Sequence, residues 1–224
     1  MSVSRRKFYT IVGLLIGFIL YWAWPTGVRR YRNLPPSATG PWVAFGDSLT
    51  QGHGAKPGAD FPTQLSERLG IPIQNLGVAG ETSADGLRRI EAVVNLNPRV
   101  VLLCFGGNDV LQSVPRNQMF ANIGTMIDRL QKRGSFVLLL GIRGPSLVGD
   151  ANAKGFKDLA NRKRVKLVPD ILDGILGQPA LMSDYVHPND SGYGRIAERL
   201  DNELQASLAK LRTKDDTRVS GVTH

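Results

Sequence analysis

The sequence predicts an α/β domain: a three-layer α/β/α sandwich around a five-stranded parallel sheet, preceded by one N-terminal transmembrane helix. Three observations predict it. Short apolar runs alternate with segments of helical period. The runs lack strict polar alternation, as strands covered on both faces do. One uncharged stretch of membrane-spanning character stands ahead of them all. A chain of 224 residues suffices for one domain with a full core and is short for two.

The uncharged stretch is Phe8–Trp24, FYTIVGLLIGFILYWAW. As a helix it spans roughly 26 Å, a little less than a hydrocarbon core of about 30 Å. Pro25 and Gly27 end it, and Tyr21, Trp22 and Trp24 gather where amphipathic rings favour the membrane interface. A cleaved signal peptide is the competing reading. Bulky Trp22 and Trp24 flank Ala23, so no small-x-small cleavage site follows the apolar run, and an uncleaved anchor is preferred. Ser4-Arg5-Arg6-Lys7-Phe8 carries a weak twin-arginine signal, and Gly13 and Gly17 form an incidental GxxxG. Three basic residues on each side leave the orientation tied.

The formal net charge of +9 arises largely here. Six of the 28 Lys and Arg residues (Arg5, Arg6, Lys7, Arg29, Arg30 and Arg32) precede Asn33, where no acid lies, leaving 22 against 19 acids beyond it. The excess flanks the apolar segment and forms no patch on the globular part. With no nucleic-acid motif behind it, no nucleic-acid partner is expected. The organisation expected is therefore a basic N-terminus (1–7), an anchor (8–24), a basic and Pro-rich linker (25–41), a catalytic domain (42–211) and a disordered tail (212–224). Within the linker, NLPPSATGP reads as a semi-rigid extended spacer.

The strands are Trp42–Phe45, Ile73–Leu76, Val100–Phe105, Phe136–Ile142 and, more weakly, Val165–Val168. Cys104, the only cysteine, falls inside the third. That excludes an intramolecular disulfide and a Cys-ligated zinc cluster, and it predicts a buried, inert thiol. Between the strands, Phe61, Leu65 and Leu69 recur at helical spacing. So do Leu87, Ile90 and Val94 within Ser83–Val94. Phe120, Ile123, Ile127 and Leu130 mark a third helix, stopped by Gly134, and Phe156, Leu159 and Ala160 a short fourth. Ile196, Leu200, Leu204 and Leu208 line the last, from Tyr193 to Leu211, which Pro188 is placed to open.

Ligands of such a sheet bind beyond the carboxyl ends of its strands. The first strand ends in Gly46-Asp47-Ser48, the second runs into Gly77-Val78-Ala79-Gly80-Glu81-Thr82-Ser83, and the third ends in Gly106-Gly107-Asn108-Asp109. Asp184-Tyr185-Val186-His187 precedes the last helix. This set suits acyl transfer. A serine hydroxyl needs a base, and His187 is the best of three histidines, since His224 ends the tail. Asp184, three residues back, reaches the other ring nitrogen. The Ser48 N–H, the Gly80 N–H and the Asn108 amide supply oxyanion donors. Each residue also has a plain reading. Ser48 serves as a turn or N-cap residue, Gly77 and Gly80 as tight-turn glycines, Asn108 and Asp109 as loop residues, and Asp184 and His187 as surface groups at a helix start. His53 reads as a wall or turn residue rather than a second base. A metal-dependent hydrolase would draw on Asp47, His53, Asp109 and His187, whose spacing matches no metal motif. No cofactor is expected.

The blocks GDSLT, AGETS, GGND and DYVH, in that order, resemble the four signature blocks of the SGNH (GDSL) hydrolase family. The stretches LTQGHGAKPGADFPTQLSERLG and NLGVAGETSADGLRRI are similar to small bacterial arylesterases and thioesterase–lysophospholipases, and the likeness runs from about Val43 to Leu204. The resemblance implies a flavodoxin-like SGNH fold and an open site. It implies Ser48 as nucleophile, Asp184 and His187 as its triad partners, and Ser48, Gly80 and Asn108 as the oxyanion hole. Of Gly77 and Gly80, GETS favours Gly80. The expected substrate is a small acyl ester or thioester. A carbohydrate or peptidoglycan O-acetyl esterase is the runner-up, and an idle scaffold on the same fold is the alternative of another class. A bacterial inner-membrane protein with a periplasmic domain is expected, as a monomer or weak dimer. Arg143–Gly149 is expected to contribute to the substrate rim.

Overall fold

The computed structural model of the protein describes residues 31–143 and 151–212. The expectations for the basic N-terminus, the anchor, the first part of the linker, most of Arg143–Gly149 and the tail from Thr213 fall outside them. Among the described residues no helix is long and apolar enough to cross a membrane.

Five strands form one parallel sheet: β1 (Gly40–Gly46), β2 (Ile73–Gly77), β3 (Pro98–Cys104), β4 (Phe136–Leu140) and β5 (Lys166–Val168). Their order is β2-β1-β3-β4-β5, so the winding reverses between β1 and β3. A crevice opens at such a switch point, beyond the carboxyl ends of the strands. The helices are α1 (Ser48–Gln51), α2 (Phe61–Leu69), α3 (Ser83–Asn95), α4 (Gly107–Leu111), α5 (Arg116–Lys132), α6 (Ala151–Lys163) and α7 (Asp190–Leu211), with a 3₁₀ turn at Pro179–Leu181.

Alternate strand residues feed two cores. Trp42, Ala44, Leu102, Cys104 and Leu138 pack with Leu65 of α2 and with Tyr193, Ile196 and Leu200 of α7. Val43, Phe45, Leu103, Val137 and Leu139 pack with Ile90 of α3, Ile123 and Ile127 of α5 and Leu159 of α6. Both faces of the central strands are therefore apolar, which is why their sequences do not alternate. Cys104 is buried, and burial pushes its thiol well above the ordinary range.

Two boundaries differ from the sequence reading. Pro188 does not open α7: Asn189 caps it, its Oδ1 accepting from Ser191 N–H and Gly192 N–H at 3.0 and 3.1 Å. Asparagine accepts such bonds where proline has no side-chain acceptor. The linker stops being a spacer at Tyr31, where the compact unit already begins. Residues 31–39 lie along the amino ends of the strands as a strap. Asn33 Nδ2 donates to Gln131 O and Ser135 O at 2.8 and 2.9 Å, and Arg32 N–H donates to Arg164 O at 2.8 Å. Ser37 N–H donates to Gly134 O, and a Cβ on Gly134 would lie 2.0 Å from Ser37 Oγ. At the same end, the Arg99 guanidinium donates to Ala38 O, Leu211 O and Arg212 O, joining the strap to the end of α7.

Candidate active site

The reversal point carries Ser48. β1 turns into α1 against its own neighbours: a Cβ on Gly46 would stand 2.1 Å from Thr50 Oγ1 and 2.4 Å from Cys104 O, so only glycine fits. Asp47, not Ser48, is the N-cap, its Oδ1 accepting Leu49 N–H at 3.0 Å. Ser48 is thus the first residue of a single-turn helix with its hydroxyl free of capping. Gly52, in the left-handed region at φ +91°, closes that turn through its N–H to Ser48 O.

Asp184 and His187 come from the loop before α7. Met182 and Pro188 form an isolated antiparallel bridge, and Ser183 N–H donates to His187 O at 2.9 Å. Asn189 Nδ2 donates to Ala180 O and Met182 O and so fixes the loop's base. Inside the loop, Asp184 Oδ1 accepts Val186 N–H and His187 N–H at 2.8 and 2.7 Å, and Oδ2 faces His187 Nδ1 at 2.8 Å. The Val186 amide leads in holding this carboxyl down to about 2, with the His187 contact next. The ionised carboxylate fixes the hydrogen on Nδ1 and leaves the Nε2 lone pair outward. His187 Nε2 lies 3.1 Å from Ser48 Oγ, across 139 residues of sequence. The structure therefore brings Asp184, His187 and Ser48 into one hydrogen-bonded line.

Gly77 ends β2, Gly80 follows it and Asn108 follows β3, at the same ends of the sheet as Ser48. Gly77 N–H is occupied by Asn75 Oδ1 at 2.9 Å, and a Cβ there would meet Gln51 N at 2.1 Å. Gly80, at φ +80°, is the third residue of a turn closed by Glu81 N–H to Val78 O. No acceptor for Gly80 N–H lies among the described residues. Asn108, on α4, donates one amide hydrogen to Glu81 O at 2.9 Å, which orients the second hydrogen away from that loop. Asp109 is not a residue bonding only its own loop. Fully buried, it accepts Ser83 N–H and Ser83 Oγ–H at 2.8 and 2.6 Å and binds the start of α3 to α4. The set Asp47, His53, Asp109 and His187 does not converge. The one group of three with metal-ligand atoms close together among the described residues is His53, Asp184 and His187. Asp47, 1% exposed, has its carboxyl raised to about 7 by burial, the Leu49 amide opposing and Asp109 adding to the rise.

Sequence reasoning missed Arg89 and Glu81. Arg89 Nε faces both Glu81 carboxylate oxygens at 2.8 and 2.7 Å, while another guanidinium nitrogen donates to Gly46 O and Leu76 O at 3.1 and 3.0 Å. The guanidinium also lies 4.3 Å over the Phe45 ring. One arginine thus ties the ends of β1 and β2 to the loop that carries Gly80 and receives Asn108. The available signal was an arginine three and four residues from the buried Gly86 and Val93 of an amphipathic helix. Leu111 and Tyr185, near Asn108 and Asp184 in sequence, are 66% and 98% exposed.

Residues 44–195 match the GDSL-like Lipase/Acylhydrolase family. An arylesterase of Vibrio mimicus is 28% identical over 177 residues, 74% of this chain and 88% of the relative. Esterase TesA of Pseudomonas aeruginosa is 30% identical over 169 residues, 70% of this chain and 84% of the relative. Among solved structures, TesA superposes with a TM-score of 0.70 at 28% identity, covering 74% of this chain and 98% of that one. AlinE4, an SGNH-hydrolase family esterase, gives 0.60 at 32% identity, over 79% of this chain and 100% of its own. With a parallel sheet of this order and these strand ends, the chain belongs to the GDSL-like lipase/acylhydrolase family and is an SGNH-type carboxylic ester hydrolase.

Proposed function

We propose that the protein is a membrane-anchored serine esterase or thioesterase that hydrolyses small acyl esters through an acyl-enzyme. The observation that carries this reading is the unbroken line from Asp184 through His187 to Ser48 Oγ, with contacts of 2.8 and 3.1 Å. In the proposed mechanism, His187 Nε2 takes the Ser48 proton as Oγ attacks the acyl carbonyl. Asp184 keeps the imidazole in the required tautomer and stabilises it once charged. The tetrahedral oxyanion is met by Ser48 N–H, Gly80 N–H and the remaining Asn108 amide hydrogen. His187 then returns the proton to the leaving alcohol or thiol, and water repeats the sequence to release the acid. The uncharged Phe8–Trp24 segment with its aromatic end supports the anchor, and a bacterial inner membrane with a periplasmic catalytic domain is the location proposed with it.

The test is Ser48→Ala assayed with a short-chain p-nitrophenyl ester. Turnover should fall by about 10³-fold or more with circular dichroism and melting temperature preserved. Undiminished turnover would refute the acyl-enzyme.

A further inference from the structure

His53 takes no part in the line from Asp184 to Ser48, yet its ring lies 4.4 Å from the His187 ring, centroid to centroid, with the planes at 60°. One ligand atom each from His53, Asp184 and His187 can be chosen so that all three lie within 4.8 Å of one another. The placement of His53 is fixed from both sides. Its N–H donates to Ser48 O at 3.0 Å, and its carbonyl accepts the hydroxyl of buried Tyr193 at 2.8 Å. Gly52 and Gly54, at φ +91° and +90°, flank it, and a Cβ on Gly54 would stand 2.0 Å from Ser183 Oγ in the loop that carries Asp184. The backbone therefore presses an exposed imidazole against the catalytic one, although that imidazole makes no hydrogen bond that explains its position.

We propose that His53, Asp184 and His187 form an inhibitory site for a borderline-soft divalent cation of the Zn²⁺ class. This rests on reading His187 as the base. Two imidazoles and a carboxylate are a donor set that suits Zn²⁺, with a fourth position left for water. Zinc–ligand bonds of about 2.0–2.2 Å place neighbouring donors roughly 3.3–3.5 Å apart, so the three groups must close by about 1 Å or a little more. Side-chain rotation at the open edge of the site supplies that, because Asp184 is 44% exposed and His53 is exposed. Either mode of attachment stops catalysis. An ion on Nε2 displaces Ser48 Oγ, and an ion on Nδ1 shifts the ring hydrogen to Nε2, leaving no lone pair there to take the Ser48 proton. His53 is then the residue that converts a catalytic His–Asp pair into a three-donor site.

The experiment uses metal-stripped protein. Zn²⁺ is titrated against ester turnover, and Co²⁺ is titrated against the Ser48→Ala variant with visible absorption as the readout. The Co²⁺ arm needs no activity, so it separates failure of the metal site from failure of the catalytic reading. The expected results are reversible inhibition by Zn²⁺, restored by chelator, and a saturable one-to-one Co²⁺ band. His53→Gln should keep basal turnover within about twofold. It should raise the inhibiting Zn²⁺ concentration at least tenfold, since even an outer-shell partner commonly contributes 10–100-fold to metal affinity. The same substitution placed on Ser48→Ala should weaken the Co²⁺ band. Mg²⁺, which prefers oxygen ligands, should not inhibit. Equal Zn²⁺ sensitivity of His53→Gln, absence of the Co²⁺ band, or equal inhibition by Mg²⁺ would each overturn the proposal.

Discussion

Asp47 holds a carboxyl almost out of water beside Ser48, with the Leu49 amide donating to it. Burial raises it to about 7, against 3.8 for an ordinary aspartate. Between those values the native chain keeps a proton that the unfolded chain has lost, so stability falls as pH rises from about 4 to 7. The full cost, reached above pH 7, is on the order of 4 kcal/mol. Asp47→Asn retains the acceptor for Leu49 N–H and removes the charge. Its melting temperature should match the parent near pH 4 and exceed it increasingly toward pH 8; a constant gap across that range would refute the assignment. Asp184 acts in the opposite sense: lowered to about 2, it contributes stability above about pH 4 that is lost as pH falls toward 2. Asn108 belongs to the same scale. Asn108→Ala should lower kcat by about 10²–10³ with little change in KM, because in the proposed mechanism this amide meets charge that develops only during reaction.

At the scale of elements, the Arg89 clamp is the joint between the sheet and the oxyanion loop. Its guanidinium meets two strand-end carbonyls, one carboxylate and one aromatic face, a fork that lysine does not reproduce. Arg89→Met should cost about 2–3 kcal/mol by leaving Glu81 and the carbonyls without their donor. It should also lower kcat through the loosened Gly80 loop, and Arg89→Lys should recover little of either. Denaturant unfolding and steady-state kinetics on both variants check this. The clamp also marks where sequence reasoning stops. The central strands β1, β3 and β4 were legible because double-sided burial writes continuous apolar runs, and α2, α3, α5 and α7 because each buries a periodic stripe, whereas the edge strands β2 and β5 are only partly buried. The helices α1 and α4, of four and five residues, are too short to show a period. Pro188 drew attention away from Asn189 as the cap of α7. Gly77 and Gly80 both follow the apolar run of the second strand, and only the likeness of GETS favoured Gly80; Asn75, which occupies the Gly77 N–H, separates them by a contact no spacing reveals. Arg89 looked like its neighbour Arg88, since only the fold turns one toward Glu81 and the other toward Asp85.

The whole molecule has two poles. The Ser48 line lies at the carboxyl ends of the strands. The strap of residues 31–39 lies at the amino ends, about 20 Å away along β1. If the segment before it is the proposed anchor with a periplasmic domain, protease added to spheroplasts should degrade the domain while the outer face is accessible, and should spare it if the domain is cytoplasmic. Retention of the full chain in carbonate-washed membranes, with release of a chain starting at residue 31, checks the anchor itself.

The rivet at Arg99 has a practical corollary. Because a single guanidinium touches both Ala38 and Leu211, the inner end of the strap and the end of α7 are held at neighbouring points on one pole of the domain. A tag, a bead or a second enzyme joined directly ahead of residue 31 or after residue 212 starts from the pole opposite the Ser48 line. A bridge across that one pole, from residue 212 back to residue 31, makes the domain a candidate for circular permutation.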